Sequence, residues 1–449
     1  MFGALVAVVF VLFNANLRGI GALDPIPSTL LPSSLLRDGD TDLSEFRPML
    51  GEAGWYDTTL AFGTLQARDG RLVSSYPIGA ALVALPVYAV PEALGWLSEW
   101  RDYQAIGKIA ASLIVALSVG FVFLAAAQIS GTSAGAVVAL AYALGTGAWS
   151  TASQALWQHG PGMLCLSVAL LLLLRLDRGG GAAAAVGAGI ALALALLCRG
   201  LNLVPAAALG LFVLIRHPRQ VWIFALPLAI ASAWQAYYNV TVYGDVSGGY
   251  AAILQSDWHR SRGLTPATLF GHPLLEGLLG LLVSPGKGLL VYSPFLAIPL
   301  VGLVPASLDR AFPLGRYIAL WMLLVLIPLA KNALWWGGTS YGGRYLTEAS
   351  VGLSLVLAWA WPWLAVRRLA LGLACASIAT SIAIHGLGAF VAQCGWHEQP
   401  TIVDFDPARL WDWSDTEIER CARVGVRDGV HRMELLDDVP NPGPALTVR

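Results

Sequence analysis

Residues 77–97, PIGAALVALPVYAVPEALGWL, form an apolar run that follows a long polar stretch and carries Pro77, Pro86 and Pro91. Whether this run crosses a bilayer decides the topology of the whole chain. Eleven other runs approach the roughly 20 apolar residues that a spanning helix needs: 1–19, 106–127, 133–150, 160–175, 181–198, 202–216, 220–240, 287–307, 316–333, 347–365 and 369–392. Short basic loops between spans belong on the cytoplasmic side. Arg175/Arg178, Arg216/Arg219, Arg310/Arg316 and Arg367/Arg368 mark such loops. With the N-terminus inside and 77–97 laid along the outer interface, all four pairs fall inside. Counted as a span, the run would flip every pair outward, so it is read as an interfacial helix.

Composition agrees with a membrane protein. Of 449 residues, 57% are hydrophobic and 12% charged, about half the charge of an ordinary soluble domain. The charge is also segregated. Segments 15–75 and 394–449 hold 30 of the 55 Asp, Glu, Lys and Arg residues. A soluble fold cannot hide the remaining apolar surface. The expected class is an all-α polytopic membrane protein with about eleven transmembrane helices. Residues 1–393 would form the membrane module, with 15–105 a first outer loop carrying membrane-parallel helices. Residues 394–449 would be a short extracytoplasmic tail, with a helix near 415–424 and a Pro-bounded end at Pro440, Pro442 and Pro444. The net charge of −1 gives no reason to expect a nucleic-acid partner.

Met1 to Phe13 lacks a basic flank and a small-residue cleavage site, and reads as a retained helix. Cys165, Cys198 and Cys375 sit in apolar runs. Cys394 and Cys421 share the tail and could pair if that tail lies outside the cytoplasm. No fixed-period repeat and no Cys/His metal spacing occurs.

This topology puts the unusual polar residues on one side, in loop 15–75, the turn 151–159, loops 241–286 and 334–346, and the tail. Asp24, in Leu23-Asp24-Pro25, is either a base at the membrane boundary or a helix-ending turn residue. Asp38, Asp40 and Asp42 resemble the start of a calcium loop but fail its pattern, with Leu43 where Gly belongs and Met49 where Glu belongs. A divalent cation there is the minority alternative to a solvated acidic turn. His159, in Trp157-Gln158-His159-Gly160-Pro161, could serve an anionic oxygen or simply sit at the interface. Lys287, in Ser284-Pro285-Gly286-Lys287-Gly288, opposes the dipole of the helix it would begin; anion binding would explain it, as would snorkelling. Trp335 and Trp336, then Tyr341-Gly342-Gly343-Arg344-Tyr345, join aromatics and glycines to an Arg suited to phosphate. Tyr76, Arg71 and Arg199 could line the same outer cavity. Asn239-Val240-Thr241 matches a glycosylation sequon, a weak three-residue signal.

Four short runs, taken in order, resemble the GT-C superfamily of membrane glycosyltransferases: Ser75-Tyr76-Pro77-Ile78-Gly79, Trp157-Gln158-His159-Gly160, Ser284 to Leu289 with Tyr292-Ser293-Pro294, and Tyr341 to Leu346. The superfamily includes protein O-mannosyltransferases and lipid A aminoarabinose transferases, and the chain is most similar to a group of bacterial members. The resemblance covers most of 1–393. It implies a first helix, a long outer loop with membrane-parallel helices, then a span bundle in the cytoplasmic membrane. It implies an inverting transfer of one sugar from a polyprenyl-phosphate donor to an acceptor hydroxyl of a glycan, glycolipid or protein at the outer face. Asp24 would be the catalytic carboxylate. Arg344, Lys287 and His159 would hold the donor phosphate, with Tyr76, Tyr341, Tyr345, Trp335, Trp336 and Arg199 around the substrate. Several relatives carry an acidic neighbour where this chain has Leu23 and Pro25, so the resemblance specifies no metal or other cofactor. The alternatives are a lipid-linked-sugar flippase, which would place ionisable groups near the midplane, and an outer-face glycan polymerase or ligase.

Overall fold

The computed structural model describes residues 1–17, 24–52, 64–66, 70–254, 263–265, 267–391 and 394–425. Asp24 and the other site candidates fall among them, whereas Pro440, Pro442 and Pro444 lie outside. The chain begins with helix α1 (Phe2–Asn14), then α2 (Pro25–Arg37), α3 (Arg47–Glu52) and a two-stranded antiparallel ribbon, β1 (Thr64–Gln66) and β2 (Leu72–Ser74), pairing Thr64 with Ser74. Helices α4 (Gly79–Ala93), α5 (Trp100–Ser130), α6 (Thr132–Leu144), α7 (His159–Asp177), α8 (Gly181–Cys198), α9 (Leu203–Arg216) and α10 (Val221–Tyr243) follow. Then come α11 (Gly249–Leu254), α12 (Leu274–Val283), α13 (Leu289–Tyr292), α14 (Ala297–Leu308), α15 (Leu314–Lys331), α16 (Ala349–Ala365), α17 (Arg368–Val391) and α18 (Glu417–Val424).

Six helices among the described residues are long and apolar enough to span a bilayer. The longest, α5, has 31 residues, about 46 Å at 1.5 Å per residue, well over a hydrocarbon core of about 30 Å. Its first turns carry a reciprocal capping box between Glu99 and Asp102. There Tyr103 meets Phe46 edge to face at 5.4 Å, closing a small core beneath the first loop. Further along, α5 is surrounded by α1, α6, α7 and α16, which share one continuous apolar core.

The 77–97 run becomes α4, an apolar helix of 15 residues. It packs on α2, where Glu92 pairs with Arg37 at 2.9 Å and accepts from Ser33 at 2.7 Å. The expected span 287–307 is a different matter. It breaks into α13 and α14 because Pro294 disfavours helical geometry at the preceding residue, and Ser293 sits at φ −129°, ψ 66°. A short apolar helix, α12, occupies part of what reads as the loop 241–286.

One buried cation organises the site end of the bundle. Lys108, on α5, donates to the Phe13 carbonyl at 2.9 Å, to the Ser153 carbonyl at 3.2 Å and to Gln154 Oε1 at 2.5 Å. Asn16 donates to the same Gln154 oxygen at 2.7 Å and to the Ala389 carbonyl at 2.6 Å. The carbonyl end of α1, which carries partial negative charge, is thereby tied to the turn preceding α7.

The tail caps this end. Cys394 and Cys421 are joined in a disulfide, with Cα atoms 4.9 Å apart. Arg409 donates to the carbonyls of Trp396, Gln399 and Thr401, folding the tail around itself. Ser284 Oγ donates to the Leu410 carbonyl at 2.6 Å and Gly286 N donates to it at 3.2 Å, docking the tail on the 284–288 turn.

Candidate active site

The starts of α7 and α16 and the end of α8 meet beside the start of α2, and polar groups gather there. Asp24 stands at the N-cap position of α2, but its side chain makes no capping hydrogen bond. Pro25 suits the first helical position, and Pro27, at the third, has no N–H to offer a capping carboxylate. Asp24 forms an ion pair with Arg344, their side chains 25% and 16% exposed, so both remain reachable. Arg344 opens a 3-10 turn, Arg344–Leu346, just before α16. Gly343 lets that turn lie close to its neighbour: a Cβ there would stand 2.4 Å from the Lys287 carbonyl oxygen.

Three aromatics frame the pair. The Arg344 guanidinium lies 4.8 Å from the Trp157 ring centroid and 5.9 Å from that of Tyr345, in range for cation–π attraction. Burial disfavours the guanidinium's charge, but adjacent Asp24 outweighs that and holds it more firmly protonated than usual. The Tyr76 hydroxyl donates to Asp24; burial, then the carboxylate's charge, push its pKa well above the ordinary tyrosine value. Tyr76 meets Tyr250 edge to face at 6.0 Å, and Tyr250 donates to Gln158 at 2.7 Å. Arg344 Nε and Trp157 Nε1 are buried without a hydrogen-bond acceptor among the described residues. Buried donors left unmatched are costly, and two beside one arginine suit an anionic oxygen ligand.

Behind this layer stands Glu348, at the head of α16. A single oxygen, Oε2, receives Arg199 Nη1 at 2.9 Å and His159 Nδ1 at 2.9 Å. Arg199 also donates to the Tyr345 carbonyl at 3.4 Å and lies 5.5 Å from the Tyr345 ring. Tyr345 thus lies beside two guanidinium groups, and the Glu348 triad supports the wall on which Arg344 rests. His159 and Arg199 engage Glu348 rather than the open pocket.

Lys287 departs further from the expectation. It is 1% exposed, and its ammonium donates to the Ser340 carbonyl and pairs with Glu417 Oε2 at 3.5 Å, with His397 Nε2 3.3 Å away. Glu417 also accepts from His397 at 2.8 Å, Tyr292 at 2.9 Å and the Gly342 N–H at 3.0 Å. Burial would raise the Glu417 pKa, but Lys287 and then His397 outweigh it and hold the carboxyl at about 2. This cluster locks the tail to the 284–288 and 340–343 turns. Trp335, Trp336 and Tyr341 are likewise buried in packing: Trp335 against Trp411 at 6.0 Å, Trp336 Nε1 donating to Asp404 at 2.7 Å, and Tyr341 against Tyr292 at 5.3 Å. Asp40 accepts from the Asp42 N–H at 3.0 Å and Asp42 from the Ser44 N–H at 2.9 Å, so these carboxylates cap a turn. Among the described residues no three His, Cys, Asp or Glu side chains gather as a metal cage.

Glu348 and Lys108 escape a sequence reading. Each was legible in principle as a lone charge within or at the edge of an apolar run, which must find a partner.

No protein-family model matches the chain, and no curated protein sequence does. Solved structures do resemble it. The archaeal oligosaccharyltransferase AglB from Archaeoglobus fulgidus, in complex with an inhibitory peptide and a dolichol-phosphate, aligns with a TM-score of 0.50 at 13% identity, over 92% of this chain and 60% of that one. The same oligosaccharyltransferase in its apo form gives 0.51, again at 13% identity over 92% and 60%. ArnT from Cupriavidus metallidurans, bound to undecaprenyl phosphate, gives 0.50 at 16% identity, over 96% of this chain and 73% of that one. The likeness is one of fold: like these structures, the chain is a largely helical, polytopic bundle. The chain spans 60% of the oligosaccharyltransferase's length.

Proposed function

We propose that this chain is a membrane glycosyltransferase that moves a sugar from a polyprenyl-phosphate carrier to an acceptor hydroxyl, working at the outer face of the cytoplasmic membrane. The observation that carries this is the Asp24–Arg344 pair, a carboxylate and a guanidinium held together yet accessible at one end of the bundle. The dolichol-phosphate and undecaprenyl phosphate bound by the two fold relatives support an isoprenoid phosphate as the carrier. The disulfide in the tail supports an oxidising compartment on that side.

The chemistry follows from a change of partner. A carrier phosphate arriving beside Trp157 offers Arg344 a second anion whose oxygens can accept two parallel hydrogen bonds, where Asp24 takes one. Arg344 turns to the phosphate, and Asp24 is released to accept a proton. The acceptor oxygen then attacks the anomeric carbon from the face opposite the phosphate. The new C–O bond forms as the bond to the phosphate oxygen breaks, and that oxygen leaves with the electron pair. The acceptor proton passes to Asp24, while Arg344 and the Trp157 N–H stabilise the charge developing on the phosphate. One displacement inverts the anomeric centre. His159 and Arg199 act through Glu348 as positioning residues, and Lys287 holds the tail in place.

Binding of undecaprenyl phosphate to purified protein in nanodiscs tests the reading. Arg344→Ala should weaken it by one to two orders of magnitude, the range for a charge-assisted contact of about 1.5–3 kcal/mol. Unchanged affinity would remove Arg344 from the phosphate site.

A further inference from the structure

Among the described residues, helix α10 is the least buried of the long apolar helices, with only 11% of its apolar window buried inside the protein. Yet Ser232, Gln235, Asn239 and Tyr243 fall at helical spacing on one stripe of it. Polar groups on a helix facing lipid are expensive and call for an occupant or a partner. The stripe forms one wall of a cleft of about 330 Å³, closed by Leu196, Gly200 and Leu203 on one side and by Tyr76, Pro77 and the 246–250 turn on the other. That volume lies at the low end for small-molecule pockets. Among the described residues no Lys, Arg, Asp or Glu is part of its lining.

The cleft has a fixed hydrogen-bonding polarity. Asn239 Nδ2 donates to the Val246 carbonyl at 2.7 Å. A backbone carbonyl can only accept, so the Asn239 amide must present its N–H₂ there and turn its oxygen to Gln235. Gln235 Nε2 donates to that oxygen at 2.6 Å. The Gln235 carbonyl oxygen is therefore left over, buried and without a donor among the described residues. Gly248 holds this relay in register: its φ is +67°, and a Cβ there would fall 2.7 Å from the Asn239 amide. Anchoring the turn needs Asn239 alone, so the spare Gln235 acceptor is unexplained by structure.

We infer that this cleft is the specificity pocket for the sugar being transferred, and that Gln235 Oε1 reads a hydrogen-bond donor on the ring, a hydroxyl or an amino group. This rests on the glycosyltransferase reading above. An acceptor oxygen in a pocket without cations would repel a phosphate oxygen, so the carrier phosphate stays with Arg344. Tyr76 joins the two regions, because it lines the cleft and donates to Asp24. A sugar in the cleft therefore sits one tyrosine away from the base, with its phosphate toward Arg344.

The test compares affinities, in nanodiscs, for undecaprenyl phosphate and for the same lipid carrying glucose, mannose or 4-amino-4-deoxyarabinose. In the wild type at least one sugar-bearing lipid should bind more tightly than the bare carrier. Gln235→Met, similar in length but without the acceptor, should erase about fivefold of that difference and leave bare-carrier affinity unchanged. Gln235→Ala serves in its place if the first variant does not fold. An intact sugar increment in the variant overturns the inference while the carrier reading stands. So does an equal loss for bare and sugar-bearing lipid, or the lack of any increment in the wild type. If the wild type binds no carrier at all, the glycosyltransferase reading falls and takes this inference with it.

Discussion

Replacing Glu348 with Gln should be among the most damaging single-atom changes this protein can suffer. The carboxylate is 4% exposed and is shared by Arg199 and His159, each 2.9 Å from one oxygen. Gln keeps the shape and one acceptor but removes the charge. Arg199, itself buried, would face only neutral acceptors, the amide oxygen and the Tyr345 carbonyl at 3.4 Å, with its counter-ion gone. Stranding one charge of a buried pair costs about 3–5 kcal/mol, which is more than a hundredfold in the unfolding equilibrium. The assay is a denaturant titration of purified protein in detergent, read by tryptophan fluorescence. The design is a double-mutant cycle: Glu348→Gln, Arg199→Met, and both together. Removing both charges leaves no uncompensated ion, so the double variant should be more stable than Glu348→Gln alone, with a coupling of about 2 kcal/mol. Because Arg199 also fixes the Tyr345 carbonyl beside Arg344, Glu348→Gln should weaken undecaprenyl phosphate binding as well. A Glu348→Gln midpoint equal to the wild type, or strictly additive effects, would refute the view that this triad supports the site.

Two further outcomes follow from the same geometry. Tyr76→Phe keeps the ring against Tyr250 but deletes the hydroxyl that donates to Asp24; transfer should fall by about tenfold, the worth of one such bond, with unfolding midpoint unchanged, and full activity would show that the hydroxyl is idle. The Glu417 carboxyl is held at about 2 against an ordinary 4.5. A lowered folded pKa means stabilisation present above about pH 4.5 and lost as pH falls toward 2, worth roughly 3 kcal/mol in all. Unfolding midpoints measured between pH 6 and 3 should therefore drop in the wild type, and the drop should be smaller in Glu417→Gln; parallel curves would contradict the assignment.

The fold was largely legible because a bilayer leaves few choices. Apolar runs placed most of the helices, α4 within 77–97 among them. Where periodicity and length failed, the cause was local. Pro294 split an apolar run that composition alone reads as one span. The α12 helix is apolar but only 10 residues long, too short to register as a span and too apolar to be an ordinary loop. The site was legible in part. Asp24 and Arg344 were visible because each breaks a local pattern, a carboxylate beside a proline at a span's end and an arginine among glycines. Their pairing across 320 residues is a tertiary fact that no spacing rule contains. The assignment of Lys287 went astray for the same reason: its partner Glu417 lies in the tail, and a sequence shows a charge but not what neutralises it. Trp335 and Trp336 illustrate a similar limit, since aromatics near an interface serve a packed core as readily as a pocket.

The most direct test of the account is the activity of Asp24→Asn protein reconstituted in liposomes with a sugar-bearing undecaprenyl phosphate that the wild type consumes. The substitution keeps the side chain's size and leaves Arg344 without its resting carboxylate. Carrier binding should persist or tighten, while sugar release from the lipid falls by at least a hundredfold, as expected for loss of a general base. Near wild-type turnover with normal binding would show that the proton goes elsewhere, and the mechanism proposed for this chain would be wrong.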